Sequence, residues 1–272
     1  MSVYALNRGQ NVKHRSLPES VTWLQADIGD AASVRKAIGD LEFGAVANFL
    51  SYNATDAAGA FGIFRGRTRQ YLHISTASLY RKPVLQWPIM ESNLRQNPFV
   101  GYSREKIAAE DELMRACVTT GFPVTIVRPS HTYDEATPPI PGDWTVIDRI
   151  ARGAIVAGAL GVEPRIVHIA SEDILAGAPD WFWSELILGD LSHSAVFDNS
   201  KVRRYVPDFA RRLTFHAAAP DMIRWRAGHA EQCRPAPDVD AIMDRLVGGY
   251  HSAREIFTAL GAAAHGTRQP DD

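Results

Sequence analysis

The chain has 272 residues, a length that suits one large domain or two closely packed ones. Its 29 basic and 31 acidic residues leave a formal charge of −2, and 46% of all residues are apolar. This composition is typical of a globular protein and excludes a disordered or collagen-like chain. Because the net charge is close to zero, the chain has no general attraction to nucleic acid.

The cysteine content also limits the class of protein. Cys117 and Cys233 are the two cysteines, too few for a disulfide framework or a four-thiolate zinc site. This usage favours a reducing, cytoplasmic setting. The sequence shows neither a metal-ligand spacing nor an apolar run of the ~18–20 residues that a membrane span needs. We therefore predict a protein without a metal site or a membrane span.

In the first half of the chain, short apolar runs alternate with amphipathic stretches. Strands are predicted at Val3–Leu6, Val21–Ala26, Ala45–Leu50, Gln70–Ser75 and Val124–Arg128. Helices are predicted at Ser33–Ile38, Ala54–Phe64 and Tyr102–Val118. The third helix has Ile107, Leu113 and Met114 on or near one face. This alternation predicts an α/β fold with a mainly parallel sheet.

The second half begins with a proline-rich loop and contains mostly helical patterns. Helices are predicted at Trp144–Arg152, Pro179–Leu188, Lys201–Tyr205, Leu213–Ala230 and Asp238–Tyr250, with short strands at Arg165–Ile169 and Ala195–Phe197. We expect an α/β domain over residues 1–153, a smaller and mostly helical substrate region over 154–260, and a disordered tail over 261–272.

A tyrosine and a lysine four residues apart stand on the strongest predicted helix. The i, i+4 spacing puts Tyr102 and Lys106 on one helix face. A free tyrosine titrates near pH 10, and a neighbouring ammonium lowers its pKa. Such a pair is also common on a solvated helix face. The fourth predicted strand, however, ends in the hydroxyls of Ser75, Thr76 and Ser78, and ligands of open α/β sheets bind at such strand ends.

The segments ISTASLY, GYSREK and GFPVTIVRPSHTY, in this order, resemble the extended short-chain dehydrogenase/reductase superfamily, the NAD-dependent epimerase/dehydratase group. The resemblance covers most of residues 3–155 and, more weakly, 160–250. It implies a Rossmann-like fold and NADP or NAD as cofactor. It also implies an epimerase, dehydratase or reductase that acts on a small hydroxyl or carbonyl substrate or a nucleotide sugar. A homodimer through the Tyr102 helix would follow from the same resemblance.

The resemblance assigns the catalytic roles residue by residue. Tyr102 would be the general acid/base, and Lys106 would lower its pKa and bind the nicotinamide ribose. Thr76 would polarise the reacting carbonyl or alcohol. Ser75 and Ser78 are less favoured for that role, and Ser78 could instead contact substrate.

The resemblance also assigns the cofactor contacts. Asn7 and Arg8 would read the adenosine ribose, and an arginine there favours NADP over NAD because it suits a 2′-phosphate. Asp27 and Ile28 would touch the adenine. Three residues after the fifth predicted strand would lie beside the nicotinamide or the substrate: Pro129, Ser130 and His131.

The sequence departs from the family pattern in three places. The Gly-x-x-Gly-x-x-Gly turn that cradles the cofactor diphosphate is absent, together with the family's first strand and helix. That strand is central in the order 3-2-1-4-5-6, so its loss would separate Val3–Leu6 from Ala45–Leu50 or force them to pair. A start codon placed too far downstream, a remodelled fold or a second chain would account for it. Family residues are also missing around 153–161, and Asp134 replaces a usual glycine.

Two other functions remain open at this point. The first is a cofactor-independent lyase or isomerase that uses Tyr102 and Lys106 for proton transfer. The second is a non-catalytic binding protein. RNA would be its partner through the basic pairs Arg203–Arg204 and Arg211–Arg212, although the slightly acidic total ranks RNA below a small molecule.

Overall fold

The computed structural model describes residues 1–9, 17–163, 166–209 and 214–266. The chain divides into two compact units. The first unit comprises Met1–Thr132 and His193–Arg212, and the second comprises Tyr133–Ser192 and Leu213–Asp272. The chain therefore passes from the first unit to the second, returns to the first, and enters the second again, a division that differs from the expected boundary after residue 153.

The described residues of the first unit form five strands. They are β1 (Val3–Asn7), β2 (Val21–Gln25), β3 (Val46–Asn48), β4 (Tyr71–Ile74) and β5 (Val124–Val127). β1 pairs with β2, and β3, β4 and β5 form a second sheet in that order, with every pair parallel. The predicted α/β fold with parallel strands is confirmed.

The helices of the described chain alternate with these strands and then dominate the second half. They are α1 (Ala31–Ile38), α2 (Ala54–Phe64), α3 (Gly101–Thr120), α4 (Asp143–Leu160), α5 (Ser171–Gly177), α6 (Phe182–Leu186), α7 (Ser200–Tyr205), α8 (Phe215–Gly228) and α9 (Pro237–Gly266). α2 starts where the Asn53 side chain accepts a hydrogen bond from the Asp56 N–H. α3 stops at Gly121, whose φ of 72° is in the left-handed region that glycine tolerates.

The described strands form two separate sheets, one of β1 and β2 and one of β3, β4 and β5. Among the described residues, β1 pairs with β2 alone and β3 pairs with β4 alone. Of the two outcomes expected from the loss, separation is therefore the one that occurs. One apolar core nevertheless contacts both sheets, because it includes Leu6 and Leu24 as well as Tyr71 and Val124.

The second unit is helical, as predicted for that part of the chain. Trp144, Ala218 and Met222 lie in its buried apolar cluster. The Arg149 guanidinium joins α4 to α9 through an ion pair of 2.7 Å with Asp240. Within the described residues, no helix is long and apolar enough to cross a membrane.

Several predicted elements differ from the structure. The part of Arg165–Ile169 that the structure describes is not a strand, and Ala195–Phe197 contributes a single bridge between Phe197 and Ile89. The helix predicted at Pro179–Leu188 is shorter, and a π-helical turn over Ile187–Leu191 follows it. α9 continues to Gly266, so it includes half of the segment expected to be a disordered tail.

Candidate active site

The carboxyl end of β4 meets the start of α3. The chain leaves β4 through Ser75 and Thr76 and forms a 3₁₀ turn over Ala77–Leu79. Thr76 caps this turn, because its Oγ1 accepts a hydrogen bond of 3.2 Å from the Ser78 N–H. The turn packs on α3, which carries Tyr102. The structure therefore brings the predicted Thr76 hydroxyl to the predicted acid/base.

A row of hydroxyl groups extends from Tyr102 into the protein. Thr76 hydrogen-bonds Tyr102, and the Thr76 Oγ1 lies 3.0 Å from the Ser78 Oγ. The Ser78 Oγ in turn lies 2.8 Å from the Ser103 Oγ, and both serines are buried. Ser78 is therefore engaged inside the protein, which does not favour the predicted contact with substrate.

Lys106 is buried directly behind this row. Its Nζ donates to two main-chain carbonyls, that of Ser51 at 2.8 Å and that of Ile74 at 3.0 Å. The residue is 1% exposed. Its Nζ also lies 4.7 Å from the centroid of the Tyr52 ring and 5.8 Å from that of the Tyr102 ring. The ammonium thus ties α3 to the carboxyl ends of both β3 and β4.

Burial lowers the pKa of Lys106 to about 8, and the negative charges of Asp56 and Glu110 partly oppose this shift. The side chain therefore remains mostly protonated at neutral pH. A cation held this close to a phenol favours the ionised form of that phenol. The site keeps this cation without direct contact with bulk water.

The pKa of Tyr102 differs in direction from the prediction. Burial raises it, the nearby Tyr52 raises it further, and the hydrogen bond with Thr76 opposes the rise. The expected lowering by Lys106 does not prevail in this structure. Tyr102 is therefore protonated at neutral pH, ready to donate a proton rather than to accept one.

A buried ion cluster anchors the far side of α3. The Glu110 carboxylate is fully buried and accepts from the Arg128 Nε at 2.8 Å, the Arg128 Nη2 at 2.7 Å and the Arg95 Nη1 at 2.9 Å. Burial opposes the charge, but the hydrogen bonds from Arg128 prevail, so the pKa of Glu110 is held below its usual value. Arg128 also donates to the Tyr80 hydroxyl. The cluster holds the end of β5 and the loop after β4 against α3.

His73 is a buried base with no partner among the described residues. It lies in β4, in register with Asn48 of β3 and Ile126 of β5. Neither ring nitrogen has a hydrogen-bond partner there. Burial lowers the pKa of His73 to about 4, and the positive Lys106 contributes. The ring is therefore neutral at physiological pH, which suits the packed strand residue expected from the sequence.

The residues predicted to read the adenosine lie together at the ends of β1 and β2. The Asn7 Oδ1 accepts from the Gly9 N–H at 2.9 Å and from the Trp23 Nε1 at 3.1 Å. Arg8 and Asp27 form an exposed ion pair at 3.7 Å. These groups bind one another, and Trp23 is an addition that no motif in the sequence indicated.

The remaining predicted residues occupy two places. Ile28 packs against the core below β2. The Pro129 carbonyl accepts a hydrogen bond of 2.8 Å from the Ala77 N–H, which places Pro129 beside the turn that Thr76 caps. Ser130 and His131 follow it and are exposed.

A match to a protein family agrees with the short-chain dehydrogenase/reductase resemblance of the sequence. Residues 57–178 match the model of an NAD-binding family described as Male sterility protein. No curated protein sequence matches the chain. The matched segment includes Thr76, Tyr102 and Lys106, the three residues predicted to be catalytic.

Solved structures with the same fold are epimerases and related enzymes. An epimerase from Methanothermobacter thermautotrophicus has a TM-score of 0.53 and 13% identity, over 86% of this chain and 87% of that one. The Bordetella bronchiseptica enzyme WbmH, solved with NAD⁺, has a TM-score of 0.51 and 14% identity, over 83% of this chain and 90% of that one. UDP-glucose 4-epimerase from Bifidobacterium longum, solved with NAD⁺ and UDP, has a TM-score of 0.51 and 12% identity, over 78% of this chain and 84% of that one. These likenesses establish a Rossmann-type α/β fold.

Fold and family match together confirm the predicted resemblance. Residues 57–178 are thus similar to an NAD-binding family, and the chain has the Rossmann-type α/β fold that the resemblance implied.

The site of Thr76, Tyr102 and Lys106 at the end of β4 is called the reaction end below. The described residues fit the nicotinamide part of an NAD(P) molecule, which would bind there, better than its diphosphate. Thr76, Tyr102 and Lys106 meet at the end of β4 with a phenol, a hydroxyl and an ammonium. The sequence has no glycine-rich diphosphate turn. The Trp23 ring fills the space beside Gly9, the glycine nearest the end of β1, because a Cβ at Gly9 would lie 2.6 Å from the Trp23 Cζ2. Among the described residues, the groups that fit an NAD(P) molecule therefore lie at the end of β4 and at the ends of β1 and β2.

Proposed function

We propose that this protein is an NAD(P)-dependent epimerase/dehydratase-like oxidoreductase acting on a small hydroxyl or carbonyl substrate, with a nucleotide sugar as the favoured class. The observation that supports it most directly is the meeting of Thr76, Tyr102 and Lys106 at one strand end. Relatives in fold with a TM-score above 0.5 include enzymes solved with NAD⁺ and with UDP.

In this proposal each side chain has a distinct task. A bound nicotinamide supplies the site that exchanges a hydride with the substrate carbon. Tyr102, which is protonated at neutral pH, donates its proton to the substrate carbonyl oxygen and recovers it from the alcohol in the reverse direction. Thr76 hydrogen-bonds the same oxygen, and Lys106 holds positive charge next to the phenolate that Tyr102 leaves behind.

The β1–β2 end would select between the two nucleotides. Arg8 is paired with Asp27 across 3.7 Å, and both side chains are about half exposed. A pair of this kind is worth little, so an incoming 2′-phosphate can take the guanidinium from the carboxylate. We therefore favour NADP over NAD, as the arginine in the sequence suggests.

The direct test is a calorimetric titration of the purified protein with NADPH and with NADH. Saturable binding of either nucleotide, tighter for NADPH, is the expected result. The absence of binding at millimolar nucleotide would exclude the oxidoreductase. Turnover of UDP-sugars, followed by the change in sugar configuration, would then identify the substrate class.

A second candidate is proton transfer without a nucleotide. The buried Lys106 ammonium favours it, because two main-chain carbonyls already engage this group and a cofactor-independent lyase or isomerase does not need it to bind a ribose. It predicts turnover that needs Tyr102 and is unchanged when nucleotide is removed. The oxidoreductase predicts that turnover stops when nucleotide is removed.

A further inference from the structure

Tyr52 is an aromatic residue at the site with no role in the mechanism above. It lies between β3 and α2, and its N–H donates to the Asp56 Oδ2 at 2.8 Å, so its main chain is held by the first turn of α2. Its side chain has more freedom, because the residue is 46% exposed. α2 packs against α3, which places this ring over the buried lysine of α3.

The Tyr52 ring and two carbonyls are the nearest groups described around the Lys106 ammonium. An ammonium has three donors, and two of them serve the carbonyls of Ser51 and Ile74. The Tyr52 ring centroid is 4.7 Å from the Nζ, within the range of a cation–π interaction. A ligand hydroxyl that needs the third donor must therefore compete with this ring.

The same ring contacts the acid/base. The Tyr52 and Tyr102 ring centroids are 6.4 Å apart, with the ring planes inclined by 53°. Such tilted pairs are attractive arrangements for aromatic side chains. Tyr52 thus touches both members of the Tyr102–Lys106 pair from a neighbouring element.

We propose that Tyr52 is a positioning residue of this site, whose ring covers the Lys106 ammonium in the unliganded protein and moves aside when a ligand hydroxyl binds there. The ring keeps water from the ammonium and holds the lysine side chain against β3 and β4. The identity of the ligand as a nicotinamide ribose rests on the proposed function. The position of the Tyr52 ring over the Lys106 ammonium does not depend on that function.

The test compares two replacements of Tyr52. Tyr52→Phe keeps an aromatic face over Lys106, and Tyr52→Leu removes it. Each folded protein is treated with an acetylating amine reagent, and the acetylation rate of Lys106 is measured by peptide mass spectrometry. Lys36, which is exposed on α1, serves as the internal reference in the same samples.

We expect slow labelling of Lys106 in the wild type and in Tyr52→Phe, and labelling at least about tenfold faster in Tyr52→Leu. Tyr205→Leu, at an exposed tyrosine of α7, is the control and labels like the wild type. Equal protection of Lys106 in Tyr52→Leu and the wild type would overturn the proposal. So would fast labelling in Tyr52→Phe, because an aromatic face alone would then not protect.

Nucleotide affinity provides a second measurement. If the ring competes with the ribose, Tyr52→Leu binds NAD(P)H about two- to thirtyfold more tightly than the wild type, and Tyr52→Phe restores the wild-type affinity. Weaker or unchanged binding to Tyr52→Leu would contradict displacement of the ring. If no variant binds nucleotide, the oxidoreductase proposal fails, while the labelling rates still decide whether Tyr52 covers Lys106.

Discussion

The two ends of the first unit hold their polar side chains in opposite ways. At the reaction end, Lys106 and Glu110 are buried, and each is held by atoms from other elements. At the β1–β2 end, the Arg8 and Asp27 side chains are 58% and 48% exposed, and they are neighbours across two strand ends. A buried, fully bonded group is already in place when a ligand arrives, whereas an exposed pair can rearrange at little cost.

This difference suggests how the two ends would contribute. The reaction end supplies a preorganised phenol, hydroxyl and ammonium, so changes there should affect chemistry or stability strongly. The β1–β2 end supplies adjustable contacts, so changes there should affect the choice of nucleotide weakly. The predictions below test that contrast, beginning with the largest expected effect.

Tyr102→Phe should lower turnover about 10²- to 10⁴-fold, because it removes the proton that the site donates while leaving the ring in place. Nucleotide affinity, measured by calorimetry, should change less than about twofold, since the phenol oxygen acts on substrate. Tyr205→Phe is the matched control on an exposed tyrosine and should retain full turnover. Turnover of Tyr102→Phe within tenfold of the wild type would remove Tyr102 from the chemistry.

Glu110→Gln should lower the free energy of unfolding by about 3 kcal/mol, because it leaves two arginines without their buried counter-charge. Glu112→Gln changes a carboxylate on the same helix whose partner, Arg115, is largely exposed. That control should cost less than about 0.5 kcal/mol. Urea unfolding of the three proteins measures both values, and similar losses for the two variants would contradict the role assigned to the buried cluster.

The sequence predicted Thr76, Tyr102 and Lys106 as one group, and the structure brings them together because their positions follow from local order. The i, i+4 spacing on α3 is weak by itself, and the hydroxyls after β4 gave it a context. The prediction of which residues of α3 face the protein interior was wrong in part. Apolar residues suggested Met114, which is 44% exposed, whereas Ser103, Lys106 and Glu110 point into the protein. Buried polar groups that satisfy one another across elements leave no periodic signal in a sequence.

The same reason explains which site residues were missed. Tyr52 precedes α2 by two positions and meets Lys106 only because α2 packs on α3. Trp23 meets Gly9 only because β1 and β2 are parallel neighbours. The separation of the two sheets was one of two expected outcomes, and choosing between them required the pairing of each strand, which hydrophobic pattern does not determine.

His73 should make the protein less stable in acid. Its pKa is about 4 in the folded chain against 6.5 as the ordinary value, so the unfolded chain binds the proton more readily. The contribution of neutral His73 to the free energy of unfolding is therefore present above pH 6.5. It falls as the pH drops toward 4, by about 2 kcal/mol at pH 5. His73→Phe should remove this part of the slope between pH 8 and pH 5 in urea unfolding. His193→Asn, in the same unit, should retain it, and an unchanged slope in His73→Phe would assign the acid sensitivity to other groups.

Arg8→Ala should have the smallest effect of this series. If Arg8 meets the 2′-phosphate, the ratio of NADPH to NADH affinity should fall about five- to tenfold, with NADH binding little changed. Stability should change by less than about 0.5 kcal/mol, because the pair with Asp27 is exposed. Arg203→Ala, on α7, should leave the ratio unchanged. An Arg8→Ala protein that loses NADH and NADPH affinity equally would show that the β1–β2 end holds the nucleotide without discriminating, which would make it as preorganised as the reaction end.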